Sequence, residues 1–486
     1  MARVVVLGAG ISGHTAALHL RRKLRREHEV VVVSPNADYN WIPSNIWVGV
    51  GRMTSQQVTF PLAPVYRRKK IDFRQARAVS IRPEGTGSSG RPTVEIEYTL
   101  PGRAGELEQV EYDYLINATG PKLNFAATPG LGPDGGHSLS VCTADHAAET
   151  AVRFAEVIAK LEAGERQRLV IGVGHGMCTC EGAAFEYAFN VEHELRTRGL
   201  RDRAEVIYLT NEHELGDFGV GGMTFEQNGF VTNSQLWTES LFRERDVTAI
   251  VGAHVQRVEE GKIFYETLQG EEGVLEFDFA MLLPPFKGQD LHAFDRSGQD
   301  ITDVLFAPNG FLKVDADYTP KPYEDWRASD WPSTYANPTY GNVFGVGIAF
   351  APPHQISRPR KTAGGTVITP APPRTGMPSG LMGRQVALSI VDMIQAGATA
   401  PTRTASMSSM GAACVASAGA GVFKGTAASM TMFPVVPDRE SYPEHGRSLQ
   451  DTTGEIGLAG HWVKHFLHYM FIYKAKALPG WSLIPE

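Results

Sequence analysis

The chain has 486 residues, 42% of them aliphatic or aromatic, with 51 glycines, 30 prolines and a formal charge of −7. That length exceeds one ordinary core, so two or three domains of a loop-rich α/β enzyme are expected. The mild acidity gives no reason to expect nucleic acid as a partner, four cysteines are too few for a disulfide framework, and no apolar run is long enough for a membrane span.

The chain opens on a strand, Arg3-Val4-Val5-Val6-Leu7, rather than a basic stretch and a cleavable apolar run, so no signal peptide is expected. A fully apolar run of this kind suits a buried parallel strand. Gly8-Ala9-Gly10-Ile11-Ser12-Gly13 follows, then His14 to Leu24 with apolar residues at helical spacing, then a second buried strand, Val30 to Val33. Asp113 to Gly120 is another strand ending in a small-residue turn. A second unit begins near residue 166: strand Arg168 to Ile171, turn Gly172-Val173-Gly174-His175-Gly176, helix Ala183 to Leu195, and strand Val206 to Leu209. The repeat predicts two nucleotide-type domains. Val343 to Gly347 is a buried strand expected to return to the first domain. Residues 351–380 read as a long loop, Gly383 to Ile394 as a helix, and 400–432, rich in small residues and Met, carry no assignable period. In the tail, Trp462, Phe466, Tyr469 or Met470, and Tyr473 share one helical face, with Lys464, His465 and His468 mainly off it.

The first glycine turn carries the strongest chemistry. Gly8 permits the tight turn, Gly10 lets backbone approach a pyrophosphate, and Gly13 lets helix and strand pack closely. The helix N-terminus then meets the phosphates with its partial positive charge. The second strand ends Val33-Ser34-Pro35-Asn36, with no acid at the usual ribose position, which leaves Ser34, Asn36 or Asp38 for that role. In the second turn Met177 stands where a third glycine belongs, with Cys178 and Cys180 directly after it. Thiols at a helix N-terminus are expected to have lowered pKa values, which points to redox chemistry; buried, inert cysteine is the alternative.

Several further stretches resemble the sulfide:quinone oxidoreductases, a family of flavoproteins with two dinucleotide-binding domains. Tyr39 to Gly51 is similar to the family's Thr-Pro-Ser-Asn-Pro-Trp-Val-Ala-Val-Gly loop, Pro284-Pro285-Phe286-Lys287-Gly288 to its Pro-Pro-Phe-Arg/Lys-Gly segment, and Asn342 to Ala349 to the strand that returns beneath the flavin. Arg374-Thr375-Gly376 stands where the family has Lys-Thr-Gly. Cys180, followed by Glu181 to Glu186, resembles the first redox cysteine; Cys414 resembles its partner, and Cys142 with His146 the third cysteine and its histidine. Cys178 has no counterpart, and Asp217 falls in a stretch where many members carry Gly-His-Leu-Gly, with His213 as a possible replacement.

The resemblance implies two Rossmann-like domains of the glutathione-reductase type. These are an FAD domain over 1–150 and 335–435 and a domain carrying redox cysteines over 151–334; a C-terminal amphipathic, membrane-associating segment over 436–486 is added to them. It implies hydrosulfide attack on a bond between Cys180 and Cys414, with the electrons passing to FAD and then to a membrane quinone. Candidate FAD contacts are Gly8, Gly10, Ile11, Ser12, Gly13, Ser34, Pro35, Ser44, Asn45, Ala78, Ala118, Thr119, Gly120, Gly347, Ile348, Arg374, Thr375 and Gly376. Cys142 is the candidate for a covalent flavin link of the kind some members carry. Phe433, Phe466 and Tyr469 are candidates for the quinone slot, and the tail for a monotopic membrane anchor. No metal site is expected, and a homo-oligomer stays open. The rival expectations are a type II NADH dehydrogenase, the flavin subunit of a flavocytochrome sulfide dehydrogenase, and a non-catalytic FAD-binding or sulfur-sensing protein.

Overall fold

A computed structural model describes residues 1–87, 90–179, 181–373, 376–419 and 423–486. The valine-rich start forms β1 (Arg3–Leu7), and α1 (Ile11–Lys23) begins immediately after Gly10, earlier than its apolar spacing predicts. Then come β2 (Glu29–Ser34), the short helix α2 (Asn45–Gly49), and a meander of β3 (Asp72–Arg82), β4 (Thr93–Tyr98) and β5 (Leu107–Glu111). β6 (Tyr114–Asn117) returns to pair in parallel with β1.

The second unit holds α3 (Ala144–Glu162), β7 (Gln167–Val173), α4 (Glu181–Thr197), β8 (Ala204–Leu209), β9 (Thr248–Ile250) and β10 (Phe279–Leu283). Its sheet is wholly parallel in the order β9-β8-β7-β10. β11 (Val343–Gly345) then crosses back and pairs with β6, as its apolar run predicts. The first sheet is therefore β11-β6-β1-β2-β3-β4-β5, parallel through β3 and antiparallel beyond it. The parallel strands β1, β2, β6, β7, β8, β10 and β11 are buried along most of their length, which is why they read as continuous apolar runs.

Two regions depart from expectation. Residues 351–380 are not loop throughout, since α5 (Gly376–Gln395) starts inside them. Its first turns carry Gly376, Ser379 and Gly380, poor helix formers in isolation. They are small because α1 packs on them: Gly376 and Gly380 face Ile11, and Ser12 donates to the Ser379 carbonyl at 2.8 Å. The stretch 400–432, without assignable period, contains β12 (Ala412–Ala418) and β13 (Thr426–Met432). These pair with β14 (Thr453–Gly457), so one three-stranded sheet joins residues on either side of 435. The tail helix α6 (Leu458–Ala475) lies against this sheet.

Candidate active site

The first glycine turn is closed by protein on one side and open on the other. Gly8 has φ +95°, and a side chain there would overlap the Ala118 carbonyl. A side chain on Gly13 would overlap the Gly8 carbonyl. Around Gly10 nothing lies within 4 Å of where a Cβ would stand. Gly10 caps α1 without any side-chain acceptor, so the helix's first N–H groups look onto that open side. The donor set and the space fit a pyrophosphate.

The other predicted contacts gather around this turn in different ways. The Ser12 hydroxyl is committed to α5, with Gly347 and Gly383 closed over the same residue. Ser34 is buried at the end of β2, and Pro35 beside it is exposed. Ala118, Thr119 and Gly120 follow β6, with Thr119 Oγ1 donating to Asn117 Oδ1 at 2.8 Å. Ala78 marks a register shift between β3 and β4, and Ile348 is half-buried after β11. Ser44 and Asn45 are buried at the start of α2; Asn45 Nδ2 donates to the Val141 carbonyl at 3.3 Å, next to Cys142. Arg374 and Thr375 lie outside the described residues.

The second glycine turn is filled by the protein itself. A side chain on Gly172 would overlap the Leu209 carbonyl, and one on Gly174 the side chain of Leu131. One on Gly176 would stand 2.5 Å from the Val367 carbonyl. His254 Nδ1 accepts from the Gly176 N–H at 2.9 Å, and Asn211 Nδ2 donates to the carbonyls of Gly176 and Cys178, both at 3.2 Å. The helix starts only at Glu181, well past Gly174, so its N-terminus is not brought to the turn. The geometry that Gly10 offers a phosphate is absent here.

The cysteines correct one expectation. No described thiol is activated. Cys178 is fully buried in the loop before α4, its Sγ donates to the Leu283 carbonyl at 3.1 Å, and burial, with Glu181 adding to it, holds its pKa well above the usual range. Burial likewise pushes Cys142 up to about 11, opposed by a hydrogen bond from Ser140, and Cys414 up to about 11, opposed by the Lys464 ammonium. At Cys178 desolvation of the thiolate thus outweighs the helix-end field expected from the sequence. Cys180 lies outside the described residues. Cys414, on β12, has its Sγ 3.4 Å from the Cβ position of Gly182, two residues after Cys180. His146 sits one turn into α3, its backbone N–H on the Thr143 cap at 3.1 Å and its ring edge-on to Phe125.

A profile of the pyridine nucleotide-disulphide oxidoreductase family matches residues 2–284. The chain belongs to this family. It is 29% identical over 475 residues to a sulfide-quinone reductase of Aquifex aeolicus, covering 97% of this chain and 91% of that protein. The crystal structure of a sulfide:quinone oxidoreductase from Aquifex aeolicus superposes with a TM-score of 0.74 at 27% identity, covering 98% of this chain and 92% of that one. An NDH2 structure from Plasmodium falciparum shares the fold at a TM-score of 0.51 and 16% identity, covering 72% of this chain and 64% of that one.

In this oxidoreductase the tail helix turns its two faces as the spacing predicts. Trp462 (47% exposed), Phe466 (65%) and Tyr469 (61%) point outward with Tyr473. The polar residues point inward: His468 Nδ1 pairs with Ser44 Oγ at 2.8 Å, His465 stacks on Trp47, and Lys464 donates to Glu186 at 3.1 Å. Phe433, the third quinone candidate, is half-buried against Gly411. His213 is half-exposed beside Glu214, whereas Asp217 accepts from the Ser357 hydroxyl and from Gly219 N–H at 3.0 Å. Among the described residues there is no helix long and apolar enough to cross a membrane, and no cluster of metal ligands.

Sequence spacing assigns no role to Leu131, Glu181 or the Glu186–Lys464 pair. The two glutamates stand inside the quoted cysteine motif, and their carboxyls in an otherwise apolar helix start were a usable signal. Leu131 gave none, because nothing local marks a leucine that plugs a distant turn.

Proposed function

We propose that this chain is an FAD-dependent sulfide:quinone oxidoreductase, taking electrons from hydrosulfide at a cysteine pair and passing them to a membrane quinone. The observation that carries the reading is Cys414 seated at 3.4 Å from the Cβ position of Gly182, two residues after Cys180 in the chain. A sequence-distant cysteine thereby meets the first turn of α4, to which Cys180 is joined in sequence. The plugged second turn supports the same reading, since it leaves no cradle for a nicotinamide dinucleotide beside them. The likeness to the Aquifex aeolicus sulfide-quinone reductase extends over nearly the full length of both chains.

The Gly8–Gly13 turn and the α1 N-terminus would hold the pyrophosphate, with Ser34 and Pro35 on the ribose side and the Ser44–Asn45, Ala118–Gly120 and Gly347–Ile348 segments nearer the ring. Bound FAD supplies two-electron chemistry. Cys180 and Cys414 form the pair that hydrosulfide opens. The Lys464 ammonium favours the Cys414 thiolate when one forms, and the Glu186 carboxylate opposes it. Cys178, locked onto the Leu283 carbonyl, is a spectator. Cys142, with His146 nearby, is the position for a flavin link. The outward aromatics of α6 enter the bilayer interface as a monotopic contact, and Phe433, Phe466 and Tyr469 meet the quinone there.

Anaerobic mixing tests the reading. Sulfide is expected to bleach the flavin and added quinone to restore it, while NADH does neither. Bleaching by NADH and not by sulfide would transfer the chain to the type II NADH dehydrogenases. A stoichiometric c-type cytochrome travelling with the chain would favour the flavocytochrome reading instead.

A further inference from the structure

Between β8 and β9 a hairpin carries apolar side chains to which the reading above gives no role. Thr224–Gln227 and Phe230–Asn233 pair antiparallel around Asn228 and Gly229, whose φ values of +53° and +82° make a tight two-residue turn. Gln227 lies across from Phe230 and Glu226 from Val231, so Phe230 closes the tip. Phe230 is 76% exposed and Val231 60%. Successive strand residues point to opposite faces, so both faces of the tip are apolar and open. Leu236, in the first turn of the helix Ser234–Glu244, adds a third exposed side chain.

The base of the hairpin is seated in the protein. Phe225 is buried edge-on to Trp237, and its ring fills the space that a side chain on Gly454 would need. Gln227 Nε2 donates to the Gly454 carbonyl at 3.2 Å. Gly454 belongs to β14, so the tip is tied to the strand that runs into α6. Two residues on, Ile456 is exposed, and Trp462, Val463, Phe466 and Tyr469 follow on the outer face of α6. On the other side of Gly454, Thr452 Oγ1 accepts from the backbone N–H of Phe433 at 3.3 Å. The tip therefore adjoins β14 between Phe433 and the apolar face of α6.

We propose that the Phe230–Val231 tip is a second point of insertion into the lipid bilayer, beside the outer face of α6. The assignment rests on the membrane reading of α6. A protein partner docking on a strand covers one face of it, and one pairing with its edge covers main-chain groups. Neither takes up apolar side chains on both faces of a single tip, whereas an apolar medium surrounds the tip and does. The tie through Gly454 places that tip next to the surface already read as lipid-facing. The turn at Asn228 and Gly229 keeps its polar backbone within the interfacial layer, where water still reaches it. Glu226 is the sole charge of the hairpin, exposed and across from Val231. It stays at the level of the headgroups, so the tip alone enters, and the lipid it suits is zwitterionic rather than anionic.

Co-sedimentation of the full chain with phosphatidylcholine vesicles tests the assignment. Phe230→Ser and Val231→Ser are each expected to lower the partition coefficient roughly tenfold, the effect of withdrawing one apolar side chain from lipid. Melting temperature without lipid should be kept, and Phe230→Leu should stay within a few-fold of the parent. Phe230→Trp should add fluorescence that brominated acyl chains quench beyond the parent's own. Parent-like partition of both Ser variants overturns the assignment, and so does added fluorescence that brominated lipid leaves unquenched. A lipid-free oligomer that Phe230→Ser dissociates, with vesicle binding unchanged, overturns it too, since a second copy of the chain would then cover the tip. Loss of partition on Trp462→Ser with both hairpin variants parent-like keeps α6 on the membrane and removes the hairpin alone. A parent chain that does not bind vesicles sinks the α6 reading itself, and this assignment with it.

Discussion

Replacing Gly10 by Ala is expected to strip the flavin while sparing the fold. Gly10 has φ −73° and ψ −169°, which any residue adopts, and its Cβ would meet no protein atom within 4 Å. Ala for Gly at an N-cap costs about 1 kcal/mol or less. The methyl stands where the backbone must approach the pyrophosphate. Losing two hydrogen bonds to a charged phosphate, at roughly 1.5–3 kcal/mol each, removes about 3–6 kcal/mol of binding, or roughly 10²–10⁴-fold in Kd. Gly8→Ala should act on the fold instead. Its φ of +95° strains an alanine by about 1–3 kcal/mol, and overlap with the Ala118 carbonyl adds about as much again. Gly174→Ala presses on Leu131 and should destabilise by about 1–3 kcal/mol without touching flavin affinity. Calorimetry of the deflavinated variants gives stability, and fluorescence quenching on titration with FAD gives Kd. A Gly10→Ala protein that binds FAD within a few-fold of the parent would refute the placement of the cofactor.

Glu212 has its pKa raised from 4.5 to about 7 by burial, so its favourable contribution is full below pH 4.5 and lost as pH rises through 7. Glu212→Gln should therefore reduce the loss of stability between mildly acidic and mildly alkaline pH by about 3 kcal/mol, read from denaturant melts; an unchanged pH slope contradicts the raised proton affinity. Cys414→Ala should abolish sulfide-dependent quinone reduction while shifting stability by only about 1 kcal/mol; activity that survives removes Cys414 from the pair. Trp462→Ser and Phe466→Ser should each lower partition into phospholipid vesicles on the order of tenfold, with melting changed little, and equal co-sedimentation would detach α6 from the membrane. Acid precipitation tests Cys142: flavin that stays with the parent pellet and leaves that of Cys142→Ala marks a covalent link, and flavin freed from both excludes one.

The nucleotide loop and its flanking strands were legible because their causes are local. Valines fill β1 and β2 because those strands are covered on both faces, and the glycines of the turn follow from backbone closeness within a few residues. Nothing local announces β12, whose small residues become a strand only by pairing with β13 and, through it, β14: Cys414 lies opposite Met430, and Met430 opposite Gly454. The start of α5 was hidden for a related reason, since its glycines lower helix propensity and are there for the sake of α1.

By itself, then, the amino-acid sequence determined the first Rossmann unit, the defective second turn, the order of the cysteines and the aromatic stripe of the tail, all read from spacing of 2, 3.6 or a few residues. Tertiary structure decided the rest. It set Cys414 against Gly182, drove a leucine into the second turn, and raised by burial the pKa of the Cys178 thiol that a helix end alone would have lowered. It also chose which face of α6 looks outward. Burial and long-range contact govern each of these, and they depend on partners that sequence spacing leaves unnamed.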